Sequence, residues 1–72
     1  MSVKASDIEQ GIRRIDSALT DYNYSNAELL NSLRLEGVYM LELAGVLTRG
    51  DLEMWLAAIR QACFTASRSQ FA

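Results

Sequence analysis

Few side chains in this sequence could take part in catalysis or bind a metal. Histidine, the side chain used most often as a general base and metal ligand, does not occur. The acidic pairs Glu36 with Glu42 and Asp51 with Glu53 have spacings that place the two carboxylates of each pair on different sides of a helix. We interpret them as solvated surface charges and not as an acid–base pair or a metal site. The sequence therefore predicts a protein that is not an enzyme and uses no metal or cofactor.

Cys63 is the single cysteine, so a disulfide within the chain is excluded. It falls on the apolar stripe of a predicted helix, where a thiol is typically a small buried hydrophobe. A redox or otherwise reactive role is the less favoured alternative.

Nucleic-acid binding is disfavoured by charge. Residues 41–56 have the order helix, glycine-containing turn, helix, which makes a helix-turn-helix DNA-binding regulator an alternative. The second helix would, however, present Asp51 and Glu53 to phosphate, and the net charge of the chain is −2. Arg49-Gly50-Asp51 also lacks the run of glycines of a phosphate-binding loop.

The chain length and apolar content predict one all-α domain over residues 1–72 whose stability depends on association with another copy or with a partner protein. A core of this size supplies only about 3–5 kcal/mol of net stability, and neither a disulfide nor a metal is available. Residues 29–47 have the length of a membrane span, but Arg34, Glu36 and Glu42 interrupt them, so we expect no membrane segment. The N-terminus lacks the apolar core of a signal peptide, which predicts a cytoplasmic protein.

The first helix is predicted over residues 7–20. Ser6 and Glu9 have the spacing of a capping box at its start. Its apolar residues recur every three or four positions, as expected of a helix packed on other helices: Ile8, Ile12, Ile15 and Leu19. Tyr22 and Tyr24 lie in the following turn and are predicted to close the end of the core, with a binding role as the alternative.

The second helix is predicted over residues 26–45, capped near Ser25 and ended by Gly45 in the left-handed conformation. Gly37 would let another helix approach closely. The predicted core stripe contains Leu29, Leu30, Leu33, Gly37, Met40, Leu41, Ala44 and Leu47.

The third helix is predicted over residues 49–67. Thr48 would cap it, with Asp51 in its first turn, and Leu47 and Leu52 would form a hydrophobic staple at the corner. Met54 and three neighbours, Ala57, Ala58 and Phe64, widen its apolar area. Its core stripe is predicted to be Leu52, Trp55, Leu56, Ile59, Cys63 and Ala66.

The central helix carries more apolar residues than one core stripe can hold. The predicted architecture is a short N-terminal helix, a long central helix and a C-terminal helix, arranged as a hairpin or bundle that dimerisation completes. Trp55 is ambiguous, with the core favoured over a surface contact. The predicted protein interface consists of Leu35, Val38, Tyr39, Glu42, Leu43, Val46 and Trp55.

These observations favour a homodimeric protein-binding regulator that inhibits or masks its partner. A phage-type antirepressor or anti-activator of a transcription factor is the most concrete version of this hypothesis. A small chaperone or assembly subunit that shields an apolar helix of its partner is the alternative within the same class. Both hypotheses depend on general size and class, since no residue pattern identifies the partner.

Overall fold

Over the residues that the structure describes, the protein is all-α and has three helices, as predicted. The computed structural model describes residues 3–20 and 27–69, with side chains as far as Cys63. The helices are α1 (Ala5–Thr20), α2 (Ala27–Glu42) and α3 (Arg49–Ser69). The longest is α3, which corrects the prediction that the central helix is longest. Tyr22, Tyr24 and the cap near Ser25 lie outside the described residues, and so do the side chains of Phe64 and Ala66.

The start of α1 differs from its prediction. The helix begins at Ala5, and the Asp7 amide donates to the Lys4 carbonyl oxygen at 3.0 Å, so Ser6 lies inside the first turn and is not the cap. Val3 and Ile8 occupy the two positions of a hydrophobic staple around a cap at Lys4, and both are buried. Burial of Val3 explains why the helix starts earlier than its capping pattern predicts.

The end of α2 also differs from its prediction. The helix ends at Glu42 and not at residue 45, and none of the described glycines has a positive φ, so Gly45 is not a left-handed cap. The chain closes through tight turns in which the Leu43 amide donates to the Met40 carbonyl at 3.0 Å and the Val46 amide donates to the Leu43 carbonyl at 2.9 Å. The first of these bonds satisfies a carbonyl of the last turn of α2, and neither bond requires a glycine in the left-handed conformation.

The start of α3 confirms the predicted cap. The Asp51 amide donates to the Thr48 Oγ1 at 3.1 Å, and the Thr48 amide donates to the Asp51 Oδ2 at 3.3 Å. This reciprocal pair is a capping box that satisfies two amides. Leu52 is buried and Leu47 is half-buried at the positions of the predicted staple. The corner between α2 and α3 is therefore fixed by local chemistry.

We predict that Thr48→Ala lowers the free energy of unfolding by about 1 kcal/mol, because it removes the hydroxyl acceptor of the capping box. Ser6→Ala is the matched control, since Ser6 is exposed and lies within the first turn of α1. Urea unfolding followed by circular dichroism measures both variants. Equal losses in the two variants would contradict a stabilising role for the Thr48 cap.

All three helices contribute to one hydrophobic core. The predicted stripes are largely confirmed, because Ile8, Ile15 and Ile59 are fully buried. Leu29 is a correction: it is 50% exposed and lies in the first turn of α2, at the end of the helix, where fewer neighbours cover it. The buried apolar residues are Val3, Ile8, Ile15, Ala18, Leu30, Leu33, Met40, Leu52, Trp55, Ile59 and Ala62.

Candidate functional site

Trp55 occupies a slot between the other two helices and belongs to the core. Its side chain is only 3% exposed, and its Nε1 donates to the Leu33 carbonyl oxygen of α2 at 3.0 Å. A methyl carbon built at Gly37 would lie 2.5 Å from the Trp55 Cζ2, and one built at Gly11 of α1 would lie 2.5 Å from the Trp55 Cη2. Two glycines on different helices therefore make room for one indole ring. Of the two interpretations of Trp55, the structure supports the core and removes this residue from the exposed surface.

The outer face of α2, defined here by Leu35, Val38, Tyr39 and Glu42, carries the apolar surplus that the sequence predicted. The exposed fraction is 69% for Leu35, 42% for Val38 and 63% for Tyr39, and Glu42 is exposed as well. At about 100° per residue, the four side chains fall within roughly 100° of the helix circumference, opposite the buried stripe. The structure thus brings these four predicted residues together on one accessible surface.

The remaining two predicted interface residues lie beyond the end of α2. Val46 is 78% exposed and Leu43 is half-buried, and both belong to the turn that follows Glu42. Helical spacing therefore does not place them on the outer face, because the helix ends before them. Val46 is available at the surface, whereas Leu43 is so only in part.

A second apolar surface, the α2–α3 groove, was not identified from the sequence. This groove has a volume of about 520 Å³ and lies between the two helices. Its two polar residues are Glu36 on α2 and Asp51 on α3. The apolar residues that line it are Leu33, Met40, Leu47, Met54, Trp55 and Ala58. The extra apolar area that the sequence places around Met54 was the available signal, but only the packing of the helices shows which residues face it.

A third surface, the α1–α3 groove, is dominated by charge. Its volume is about 330 Å³, and its floor includes Gly11 and two leucines. Its charged residues are Arg14, Arg49 and Arg60 with Asp7 and Glu53. An Arg49 Nη1 lies 3.7 Å from an Asp7 Oδ2, so part of this charge is balanced within the chain. Basic residues line the α1–α3 groove, whereas none of the described residues that line the α2–α3 groove is basic. The two grooves therefore differ in polarity.

Another basic residue ties α1 to α2. The Arg34 Nε donates to the Asp16 Oδ1 at 2.6 Å, and both side chains are about half exposed. A partly exposed pair of this kind contributes at most about 1 kcal/mol. Its position matters more for the charge distribution, because it holds the Arg34 guanidinium on the α1 side of α2.

Comparison with known proteins identifies no relative of this chain. No protein-family model matches the sequence, and searches of curated proteins and of solved structures found no significant match. Among the described helices, none combines the length and the apolar content needed to cross a membrane. The surfaces of this chain are therefore the basis for its proposed function.

Proposed function

We propose that this protein is a small helical protein-binding regulator that inhibits or masks a partner protein, and that two copies associate through the outer face of α2. The observation that carries the proposal is the exposure of Leu35, Val38 and Tyr39 side by side, away from the core. An apolar patch of this kind on a small protein typically marks a protein contact. Control of a transcription factor, as by an antirepressor, is the most concrete form of the proposal.

A second copy of the chain is the occupant that we assign to the outer face. Dimerisation would bury apolar area in a protein whose own core supplies little stability. If two α2 helices pack antiparallel about a two-fold axis between Val38 and Tyr39, Leu35 of one copy faces Glu42 of the other. The aliphatic part of Glu42 can then pack against leucine while its carboxylate stays in water.

This arrangement also keeps like charges apart. Each Glu42 would lie about 5 Å along the helix from the two-fold axis, so the two carboxylates would be separated by about 10 Å along the helix direction. That distance is close to the Debye length at physiological salt, so their repulsion is largely screened. The single acid within the outer face is therefore compatible with self-association.

We predict that Leu35→Glu weakens dimerisation by at least tenfold, because it replaces an apolar contact with an acid that faces Glu42 of the other copy. Sedimentation equilibrium across a range of protein concentrations measures the dissociation constant, and circular dichroism checks that the helix content is unchanged. Leu29→Glu is the matched control, because Leu29 is an exposed leucine of the same helix outside the outer face. A wild-type monomer, or an L35E dimer as tight as the wild type, would contradict association through this face.

The masking function has its own test. Affinity capture from the native host, followed by mass spectrometry, should yield a protein partner, and adding the purified chain should reduce that partner's activity at a defined stoichiometry. Absence of a partner, or a partner whose activity is unchanged when bound, would overturn the regulatory proposal.

A further inference from the structure

The α2–α3 groove has the composition of a surface that accommodates a helix. Its floor contains Leu33, Met40 and Trp55, which are nearly buried, while Met54 stands at its edge with 75% of its side chain exposed. Methionine side chains are flexible and polarisable, so they adapt to partner helices of different shape. Grooves of this kind bind the apolar face of an amphipathic helix.

The charges around this groove select the partner. Glu36 stands on the α2 wall and Asp51 stands on the α3 wall. Among the side chains described, residues 3–20 and 27–63, no basic residue lines the groove. Three arginines line the α1–α3 groove instead, and Arg34 is held by Asp16 on the α1 side. An occupant that carries cations on both sides of its apolar stripe would meet an acid on each wall.

We infer that the α2–α3 groove binds an amphipathic helix of the partner protein whose apolar stripe is flanked by lysine or arginine. This inference rests on the proposed protein-binding function and names the chemistry of the partner. The two surfaces lie on different sides of α2, so dimerisation through the outer face leaves the groove of each copy accessible.

The length of the groove sets the size of the bound segment. Leu33 and Met40 are seven residues apart, which corresponds to about 10 Å along α2. A partner helix would cover this distance with apolar residues at positions i, i+3 or i+4, and i+7, which is two helical turns. Lysine or arginine beside these positions would reach Glu36 on one wall and Asp51 on the other.

A second copy of the chain is a poorer occupant. Among the described residues, the apolar helix face that a second copy can offer is the outer face of α2, whose only charge is Glu42. That face would bring an acid to a groove already bordered by Glu36 and Asp51, and like charges at an interface are unfavourable. Charge complementarity therefore favours a basic helix over self-association at this site.

Two synthetic peptides test the inference on the full-length protein. Both have leucine at i, i+4 and i+7, are stapled to equal helix content and lack tryptophan, and they differ only in carrying lysine or glutamate beside the leucines. Because Trp55 is the single tryptophan and lines the groove, its fluorescence reports binding directly. We expect the lysine peptide to shift Trp55 emission and to bind at least tenfold more tightly than the glutamate peptide.

Variants locate the site. Glu36→Lys should weaken binding of the lysine peptide at least tenfold and strengthen binding of the glutamate peptide, whereas Glu9→Lys, an equal charge change on the exposed surface of α1, should leave both affinities unchanged. Met54→Lys should weaken the lysine peptide without changing the helix content. The inference is overturned if the two peptides bind equally, if E36K and E9K behave alike, or if E36K changes the oligomeric state instead of peptide affinity.

The two proposals can fail separately. If the wild-type protein is monomeric but still binds the lysine peptide, and Glu36→Lys weakens that binding, the dimer proposal is wrong and the groove proposal stands. A dimer that L35E disrupts, together with equal binding of both peptides, would support the outer face and contradict the inferred partner chemistry. Monomeric L35E protein should bind the lysine peptide at least as tightly as the wild type.

Discussion

Trp55→Ala is expected to unfold most of the protein at room temperature. Truncation of a buried tryptophan to alanine typically costs about 3–5 kcal/mol, and a domain of this size has a net stability of about the same magnitude. The indole is buried between Gly11 of α1 and Gly37 of α2 and extends from α3, so its loss leaves a cavity where all three helices meet.

Far-UV circular dichroism and urea unfolding measure this loss. Trp55→Phe keeps an aromatic ring in the slot but loses the hydrogen bond to the Leu33 carbonyl, so we expect it to fold with a stability about 1–2 kcal/mol lower than the wild type. A W55A protein with wild-type helix content and an unchanged urea midpoint would show that the three helices do not depend on this side chain.

The fold could be predicted where it depends on local chemistry. The Thr48 cap and the burial of Ile8 and Ile15 in α1 follow from short-range patterns, and the structure confirms both. Prediction failed where a local pattern competed with burial or with another hydrogen-bond pattern. Ser6 has a capping sequence, but burial of Val3 moves the start of α1, and Gly45 has the right residue type for a left-handed cap although the chain closes without one.

The candidate site could also be predicted only in part. The outer face could be predicted because assigning side chains to helix faces at about 100° per residue needs only the regular geometry of one helix. This assignment correctly places Leu35, Val38 and Tyr39 at the surface. The α2–α3 groove depends on how two helices meet, which no pattern within either helix specifies. The sequence of α2 alone indicates that Gly37 allows another helix to approach closely. The position of Gly11 against the same indole ring depends on how the helices pack, so the sequence does not predict it.

A larger side chain at Gly37, which would fill the space that Trp55 occupies, should be the second most destabilising change. Gly37→Val is expected to lower the free energy of unfolding by about 3 kcal/mol, because even the first added carbon would lie 2.5 Å from the Trp55 Cζ2 and 3.0 Å from the Ile12 Cγ1. Gly37→Ala should cost about 1–2 kcal/mol, since the better helix propensity of alanine offsets part of the overpacking. Urea unfolding gives both values.

Gly45→Ala is the control that separates packing from propensity. A methyl carbon at Gly45 would meet no atom within 4 Å, and the φ of Gly45 is not positive, so this variant should be about 0.4–1 kcal/mol more stable than the wild type. Opposite signs for G45A and G37A would show that the surroundings of the glycine, and not its intrinsic flexibility, decide the outcome. Stabilisation of both variants would contradict the close packing at Gly37.

A double-mutant cycle identifies the indole as the cause. The atoms that would contact a methyl group at Gly37, Cζ2 and Cη2 of Trp55, belong to the six-membered ring of the indole and have no counterpart in a phenylalanine at the same position. In the W55F background, Gly37→Ala should therefore lose its penalty or become stabilising, with a coupling free energy of about 1–3 kcal/mol. An additive cycle would mean that alanine at position 37 acts through Ile12 or the backbone, and that the indole ring is not what requires glycine at position 37.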